Sequence, residues 1–379
     1  MVGPAAGTIA ETGMMMCFLP DSSFFHRLYH RIGVCSVLDS FAQHMTTSIT
    51  KRHPIMNKNP FAVLTPDATL TCVEKALGCR LLNLCRPHSS YINRVYELQR
   101  EDGTFFIAKF FRPGRWSQEA LLEELAFVLD CAHKDITVVA PLPQVDGSFL
   151  GSFNGMHFSL YPRFGGRVVD EYSDEQWLEL GRLLGRVHSV GAMRPAKHRN
   201  RLHPQQTTRM HAEYIFSHKL IPANLETQFK RIVDEIINEI SVDFENLEII
   251  RIHGDCHSGN LIYRPGESFG IIDFDDMVTG PPVQDIWMLL PGPLEESRAE
   301  LSLLLEGYET FCSFDRRTLN IIESLRAMRF IHYICWCGWQ FVEDGETRID
   351  DSFGSFSYWS KEIGDLEDQL ESIKKSRLH

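Results

Sequence analysis

Apolar positions recur along this chain at two spacings, and the place where one gives way to the other divides it. In "YINRVYELQREDGTFFIAKFFRP" (91–113) the spacing is two, on either side of Asp102 and Gly103, whose turn chemistry favours positive φ. The segment predicts a β-hairpin. Period two in its second strand places Phe105, Ile107, Lys109 and Phe111 on one face. Two more strands are read in "ITVVAP" (136–141) and "MHFSLYP" (156–162).

Beyond the glycine-bearing connection "RFGGRVVDEYS" the spacing becomes helical, and it stays so for most of the remaining chain. "SDEQWLELGRLLGRVHSVG" (173–191) carries a Ser173 cap with Gln176 three residues on. Its apolar positions are 177, 180, 183, 184 and 187. "ANLETQFKRIVDEIINEI", "ESRAELSLLLEGYETF" and "RTLNIIESLRAMRFIHYICW" continue the pattern. Two helices also lie upstream. "MNKNPFAVLTPDATLTCVEKALG" offers Thr65 as cap, Pro66 at the first helical position and Gly78 as the close. In "SQEALLEELAFVLDCAHK" Ser117 caps a stripe of Leu121, Leu122, Leu125, Val128 and Leu129. The expected layout is a β-rich N-terminal lobe over 56–163 and a mainly helical lobe over 164–379, with a hinge between them. Residues 1–55 lack a sustained period and are expected to be an extension that need not fold.

The most informative stretch is "HGDCHSGNLIYRPGESFGIIDFDD" (253–276). "LEIIRIHGD" reads as a strand entering a loop, and "NLIYR" with "SFGIIDF" as an antiparallel hairpin. A tip between Gly266 and Glu267 would pair residue 260 with 273. Asn260 and Asp273 would then be cross-strand neighbours about 5 Å apart at Cα. One amide oxygen and one carboxylate suit a hard cation such as Mg²⁺ that also binds substrate phosphates. Asp255 precedes Asn260 by five residues and can face the attacking hydroxyl without holding the ion. This is the order that phosphoryl transfer requires, and it follows the HRDxxxxN and DFG spacing of kinases, with Gly254 in place of the arginine and "DFD" in place of DFG. Lys109 reads either as an edge-strand charge or as a phosphate-binding lysine, and Glu123 or Glu124 could pair with it. His253 and His257 could alternatively hold a metal, but the glycines among them argue against the helix such a pair would need. Asp275 and Asp276 read as caps or supporting acceptors, and Asp285 as a helix cap.

Charge and composition narrow the choices. With 379 residues and 44% hydrophobic content the chain can bury a large core, and a formal charge of −12 offers no positive field for nucleic acid or an anionic bilayer. The ten cysteines form no CxxC pair or disulfide framework, so a reducing cytoplasm is expected. "MMMCFLP" near the start follows Glu11 rather than a basic region, and we read no export signal. "MRFIHYICWCGWQFVED" carries Arg329, His332 and Gln340 and is expected to be a buried helix, not a membrane span.

The stretch "RIHGDCHSGNLIYRPGESFGIIDFDDMVTGPPVQDIWMLLPG", together with "HSSYINRVYELQREDGTFFIAKFFRPGRW", "LLEELAF", "FGGR", "LGRLLGRVH" and "LRAMRF" in the same order, resembles the stress response kinase A family, within the aminoglycoside phosphotransferase and choline kinase superfamily. The resemblance covers roughly residues 60 to 345, leaves the first 55 outside, and makes Met56 the position where family members begin. It implies an α+β, bilobal, protein-kinase-like fold, ATP and Mg²⁺ as cofactors, and serine or threonine on a protein as acceptor, with autophosphorylation one expected outcome. By motif position Asp255 would accept the proton, Asn260 and Asp273 would hold Mg²⁺, and Ser90 would contact ATP. Lys109 would touch the α and β phosphates, steadied by Glu124 or Glu123. No GxGxxG loop is present, so "HSSYINR" must cover the phosphates, and no APE motif follows, which leaves little room for an activation loop. A monomer is expected. A small-molecule kinase would use the same residues, its acidic lobe suiting a cationic acceptor. A nucleotide-binding protein without turnover is the non-enzyme reading.

Overall fold

The first described helix forms as its termini predict. In α1 (Pro66–Leu77) the Thr65 hydroxyl accepts from the Ala68 N–H at 3.2 Å, Pro66 fills the first turn, and Gly78 closes the helix at φ 63°. The computed structural model describes residues 60–88, 90–344, 347 and 352–377. The expectation for residues 1–55 lies outside them.

Five antiparallel strands follow: β1 (Leu81–His88), β2 (Arg94–Arg100), β3 (Phe105–Phe110), β4 (Gly151–Phe153) and β5 (Met156–Pro162). Their order in the sheet is β1-β2-β3-β5-β4. The β2–β3 turn runs through Asp102 and Gly103 (φ 88°), and the Arg100 N–H donates to the Thr104 carbonyl at 2.9 Å. Alternation in β3 sends Phe106, Ala108 and Phe110 into the core beneath α1. Ile107 and Lys109 are left on the other face, toward the cleft.

"ITVVAP" is not a strand of this sheet. The β4–β5 hairpin takes the position beside β3, and residues 136–141 cross toward the second lobe. They meet it through a parallel bridge, Val138 to Ile271, and by packing Ile136 and Val138 into its core. Helix α2 (Gln118–Ala132) starts at its Ser117 cap as expected, yet its buried face is Ala120, Leu121, Glu124, Leu125, Phe127, Val128 and Cys131. Leu122, expected inside, is 44% exposed.

The helical lobe consists of α3 (Asp174–Gly191), α4 (Arg209–Ser217), α5 (Ala223–Ile240), the short β6 (Ile250–Ile252), β7 (Leu261–Tyr263), β8 (Phe269–Ile271) and β9 (Val278–Gly280), then α6 (Val283–Trp287), α7 (Arg298–Tyr308), α8 (Ile322–Asp344) and α9 (Phe356–Ser376). The Ser173–Gln176 capping box is formed, and all five predicted positions of α3 are buried. Gly181 and Gly185 of α3 and Gly307 of α7 leave no room for a Cβ against the facing backbone, which lets these two helices touch main chain to main chain. Helix α8 runs through the largest core with Ile331, Ile334, Cys335 and Cys337, beside Phe229 and Trp359. No described helix is long and apolar enough to cross a membrane. The molecule is an α+β, bilobal, kinase-like fold.

Candidate active site

Strand β6 delivers His253, Gly254 and Asp255 to the cleft, and what shapes their loop is a carboxylate far along the chain. Asp285 is wholly buried. Its Oδ2 accepts from the His253 N–H at 2.7 Å and its Oδ1 from the Gly254 N–H at 2.8 Å. His188 Nε2 lies 3.1 Å from the same carboxylate. Asp285 is therefore not a helix cap, because it sits inside α6 and spends both oxygens on the loop that carries Asp255. Gly254 has φ 84° and packs against the Asp276 carbonyl with no space for a side chain. His253 bridges to the following hairpin, with Nε2 2.8 Å from the Ile272 carbonyl and Nδ1 accepting from the Asp255 N–H at 3.3 Å. That pattern fixes a neutral ring protonated on Nε2.

The β7–β8 hairpin forms, but its register is one residue from the expectation. Leu261 faces Ile271, and the Ile272 N–H donates to the Asn260 carbonyl, so Asn260 opposes Ile272 and not Asp273. The cause is a three-residue loop, Pro265–Gly266–Glu267, closed between Arg264 and Ser268 with Gly266 (φ 80°) at its tip. Asp273 still reaches the cleft. It has φ 58° and ψ 68°, a left-handed conformation uncommon outside glycine, which re-aims the side chain at the strand's end.

Around that backbone the predicted residues meet. Ser90, Lys109, Glu124 and Asp273 line a slot with Val95, Ile107, Val139 and Ile271 as apolar walls. Asp255, Asn260, Asp273 and again Ser90 line the chamber that continues from it. Lys109 Nζ lies 2.8 Å from Asp273 Oδ1 and 3.3 Å from Asp275 Oδ1. Burial works against its charge, but Asp273, Asp275 and Glu124 outweigh burial and hold its pKa well above the usual lysine value. Asn260 Nδ2 donates to the Asp255 carbonyl at 2.9 Å. With its nitrogen so used, the amide offers its oxygen. Asn260 Oδ1 and the Asp273 carboxylate make a hard, oxygen-only donor set that fits Mg²⁺.

Asp255 Oδ1 is 2.6 Å from Arg329 Nη2 of α8, and His257 Nε2 is 3.5 Å from Oδ2. Burial alone would raise its pKa. Arg329 and His257 reverse that and hold the carboxyl far below the normal range. Asp275 and Asp276 are arginine partners rather than caps, since Arg115 bonds both, Asp276 at 2.6 Å.

The two glutamates of α2 do something other than expected. Glu124 is buried, yet its ion pair is with Arg199, and it forms none with Lys109 within 4 Å. Glu123 accepts the backbone N–H groups of Lys197, His198 and Arg199 at 2.6, 2.8 and 3.0 Å. The 197–199 loop is thereby held over α2, its arginine reaching Glu124 while the two aspartates occupy Lys109. Sequence reasoning missed Arg115, Arg199 and Arg329, which carry no local signal. Asp285 was noticed and given the wrong task.

The sequence profile of the phosphotransferase enzyme family (APH) matches residues 84–322. Stress response kinase A of Escherichia coli K12 is 33% identical over 319 residues, spanning 84% of this chain and 96% of that protein. A Salmonella typhimurium protein named serine/threonine protein kinase RdoA is 35% identical over 294 residues, 74% and 85% of the two chains. Among solved structures, amicoumacin kinase hAmiN in complex with AMP-PNP, Ca²⁺ and Ami superposes with a TM-score of 0.65 at 19% identity, covering 80% of this chain and 93% of that one. A microcompartment-associated aminopropanol kinase superposes with a TM-score of 0.61 at 16% identity over 81% and 98%.

Proposed function

The chain belongs to the phosphotransferase enzyme family, with the stress response kinase A proteins among its relatives, and from that premise we propose that it transfers the γ-phosphoryl group of ATP to a serine or threonine hydroxyl on a protein. The observation that carries the reading is one cleft that gathers Lys109, Asp255, Asn260 and Asp273 from both lobes. All four come from a single chain, so a monomer suffices. The eight described cysteines are unbridged, which fits work in a reducing cytoplasm.

In this mechanism the apolar walls Val95, Ile107 and Ile271 would take the adenine ring, and Ser90, shared with the chamber of Asp255, would meet the phosphates. Lys109 holds the α and β phosphates, and its charge is secured by the acidic groups around it. Magnesium, held by Asn260 Oδ1 and Asp273, would neutralise charge on the phosphate oxygens when bound. Asp255 orients the acceptor hydroxyl and takes its proton. A carboxylate held at low pKa is a weak base, and it suits a loose transition state in which the proton leaves late. Glu124 steadies Lys109 through its field and not through a contact.

The test is phosphate transfer from labelled ATP with Mg²⁺ to a generic protein acceptor. Asp255→Ala is expected to lose at least ~10²-fold in turnover while ATP affinity stays within about twofold, as for a group acting in the transition state. Parental turnover in that variant would remove the assignment. A free alcohol as acceptor is the second reading, favoured by the half-open cavity next to the chamber of Asp255.

A further inference from the structure

Next to the chamber of Asp255 lies a half-open cavity of about 530 Å³, a size that suits a small ligand or a few side chains of a larger one. The two spaces share Ile92, Arg115, Asp276, Arg329 and His332, so whatever fills the cavity abuts the group that receives the acceptor hydroxyl. Its walls are Trp116, Met210, Tyr214, Met277, Met328 and Trp339.

The charges at this wall are already matched. Arg112 bonds Glu343 at 2.6 Å and Asp344 at 3.2 Å, Arg115 bonds Asp275 and Asp276, and Arg329 bonds Asp255 at 2.6 Å. Among the described residues the carboxylates lining the cavity, Asp276 and Glu343, are partners in those same pairs. A polycation would find no acid that is not already bound to an arginine, and an anion would find no arginine without its acid. Of the three histidines that line the cavity, His198, His211 and His332, the last two face each other, His211 Nε2 lying 3.4 Å from His332 Nδ1. Burial and Arg329 push His211 down to about 4, and burial with His211 pushes His332 down too. Among the described lining residues three polar atoms lack a protein partner, Arg115 Nε, the Trp116 indole N–H and the Thr208 hydroxyl, all shielded from solvent. Mostly apolar walls with a few unmatched polar groups are how sites for uncharged ligands are built.

We propose that this cavity receives the part of the acceptor adjoining its hydroxyl, and that this part is an uncharged aromatic or aliphatic group. The inference rests on the phosphotransferase reading above and sets its acceptor class. The group comes either from a side chain flanking serine or threonine in a protein or from a free apolar alcohol.

Phosphate transfer is measured to a serine peptide with phenylalanine and leucine flanks, the same peptide with glycine flanks, 2-phenylethanol, and kanamycin as a polycation. The expected result is a kcat/KM at least ~10-fold higher for the apolar-flanked peptide or for phenylethanol than for the glycine peptide, the range one well-filled apolar subsite gives, with kanamycin inactive. Which of the two apolar acceptors wins identifies the source. Met210 is 42% exposed at the rim and tolerates a charge there. Met210→Glu, checked for folding by thermal unfolding, should shrink that preference about tenfold. Equal kcat/KM for the two peptides and phenylethanol, or kanamycin as the best substrate, overturns the proposal. In parallel, quenching of tryptophan emission by each acceptor is read in Asp255→Ala. Saturable quenching by the apolar acceptor alone, with no transfer to anything by the parent, would sink the phosphotransferase reading and keep the cavity assignment. Absence of any preference in both readouts overturns the cavity assignment itself.

Discussion

Arg329 reaches Asp255 from 74 residues away, and their contact at 2.6 Å decides the acid–base character of the cleft. A buried carboxylate without a cation would titrate upward. With Arg329 and His257 beside it, the Asp255 carboxyl is held well below the usual carboxylate range. Arg329→Gln removes the larger of these opposing charges, so the Asp255 pKa must rise. The expected outcome is an acid limb in the kcat–pH profile displaced to higher pH than in the parent protein, with a lower plateau. A profile superimposable on the parent's would take Arg329 out of this role. Asp255, Asn260 and Asp273 could be found from spacing because one loop and one hairpin hold all three. Asp273's left-handed backbone could not, since nothing in its own residue type demands it.

Among the elements, the loop between β6 and β7 is the one that must be rigid, and it is fastened by α6 rather than by its own residues. Asp285→Ala would leave the N–H groups of His253 and Gly254 buried and unpaired, and would strip His188 of its acceptor. At about 1–3 kcal/mol for each orphaned group, the expected loss is about 3 kcal/mol of stability, seen as a lower denaturant midpoint, together with reduced turnover. An unchanged midpoint would mean that water replaces the carboxylate. Helix α2 carries the same lesson. Its cap and period were readable, but Glu124 went to Arg199 because the 197–199 loop, whose N–H groups Glu123 accepts, lies across it.

For the whole molecule, ion pairs join the lobes across the cleft: Lys109 with Asp273, Arg115 with Asp275 and Asp276, and Arg112 with Glu343 and Asp344. The second lobe also buries His211 against His332, with Tyr214, Trp339 and Arg329 around the pair. A histidine whose folded pKa lies near 4 binds its proton later than the unfolded chain does, which titrates near 6.5. Between those values the unfolded state holds more protons, so stability falls as pH falls. His211 alone accounts for about 3 kcal/mol lost from pH 7 to pH 4, and His332 adds in the same direction. His211→Gln should flatten this dependence in denaturant titrations at pH 7 and pH 5. An equal slope in the two proteins would place the acid sensitivity elsewhere.

The chain by itself determined what is local. The caps at Thr65, Ser117 and Ser173, the turn at Gly103, the β7–β8 fold-back and the order Asp255, Asn260, Asp273 all follow from backbone geometry over a couple of dozen residues. Only the tertiary structure decided which cation meets which acid: Lys109 and Asp273 are 164 residues apart, Arg115 and Asp275 160. Long charged side chains carry no periodic signature, and their partners are chosen by which surfaces pack and how far each pair is withdrawn from water.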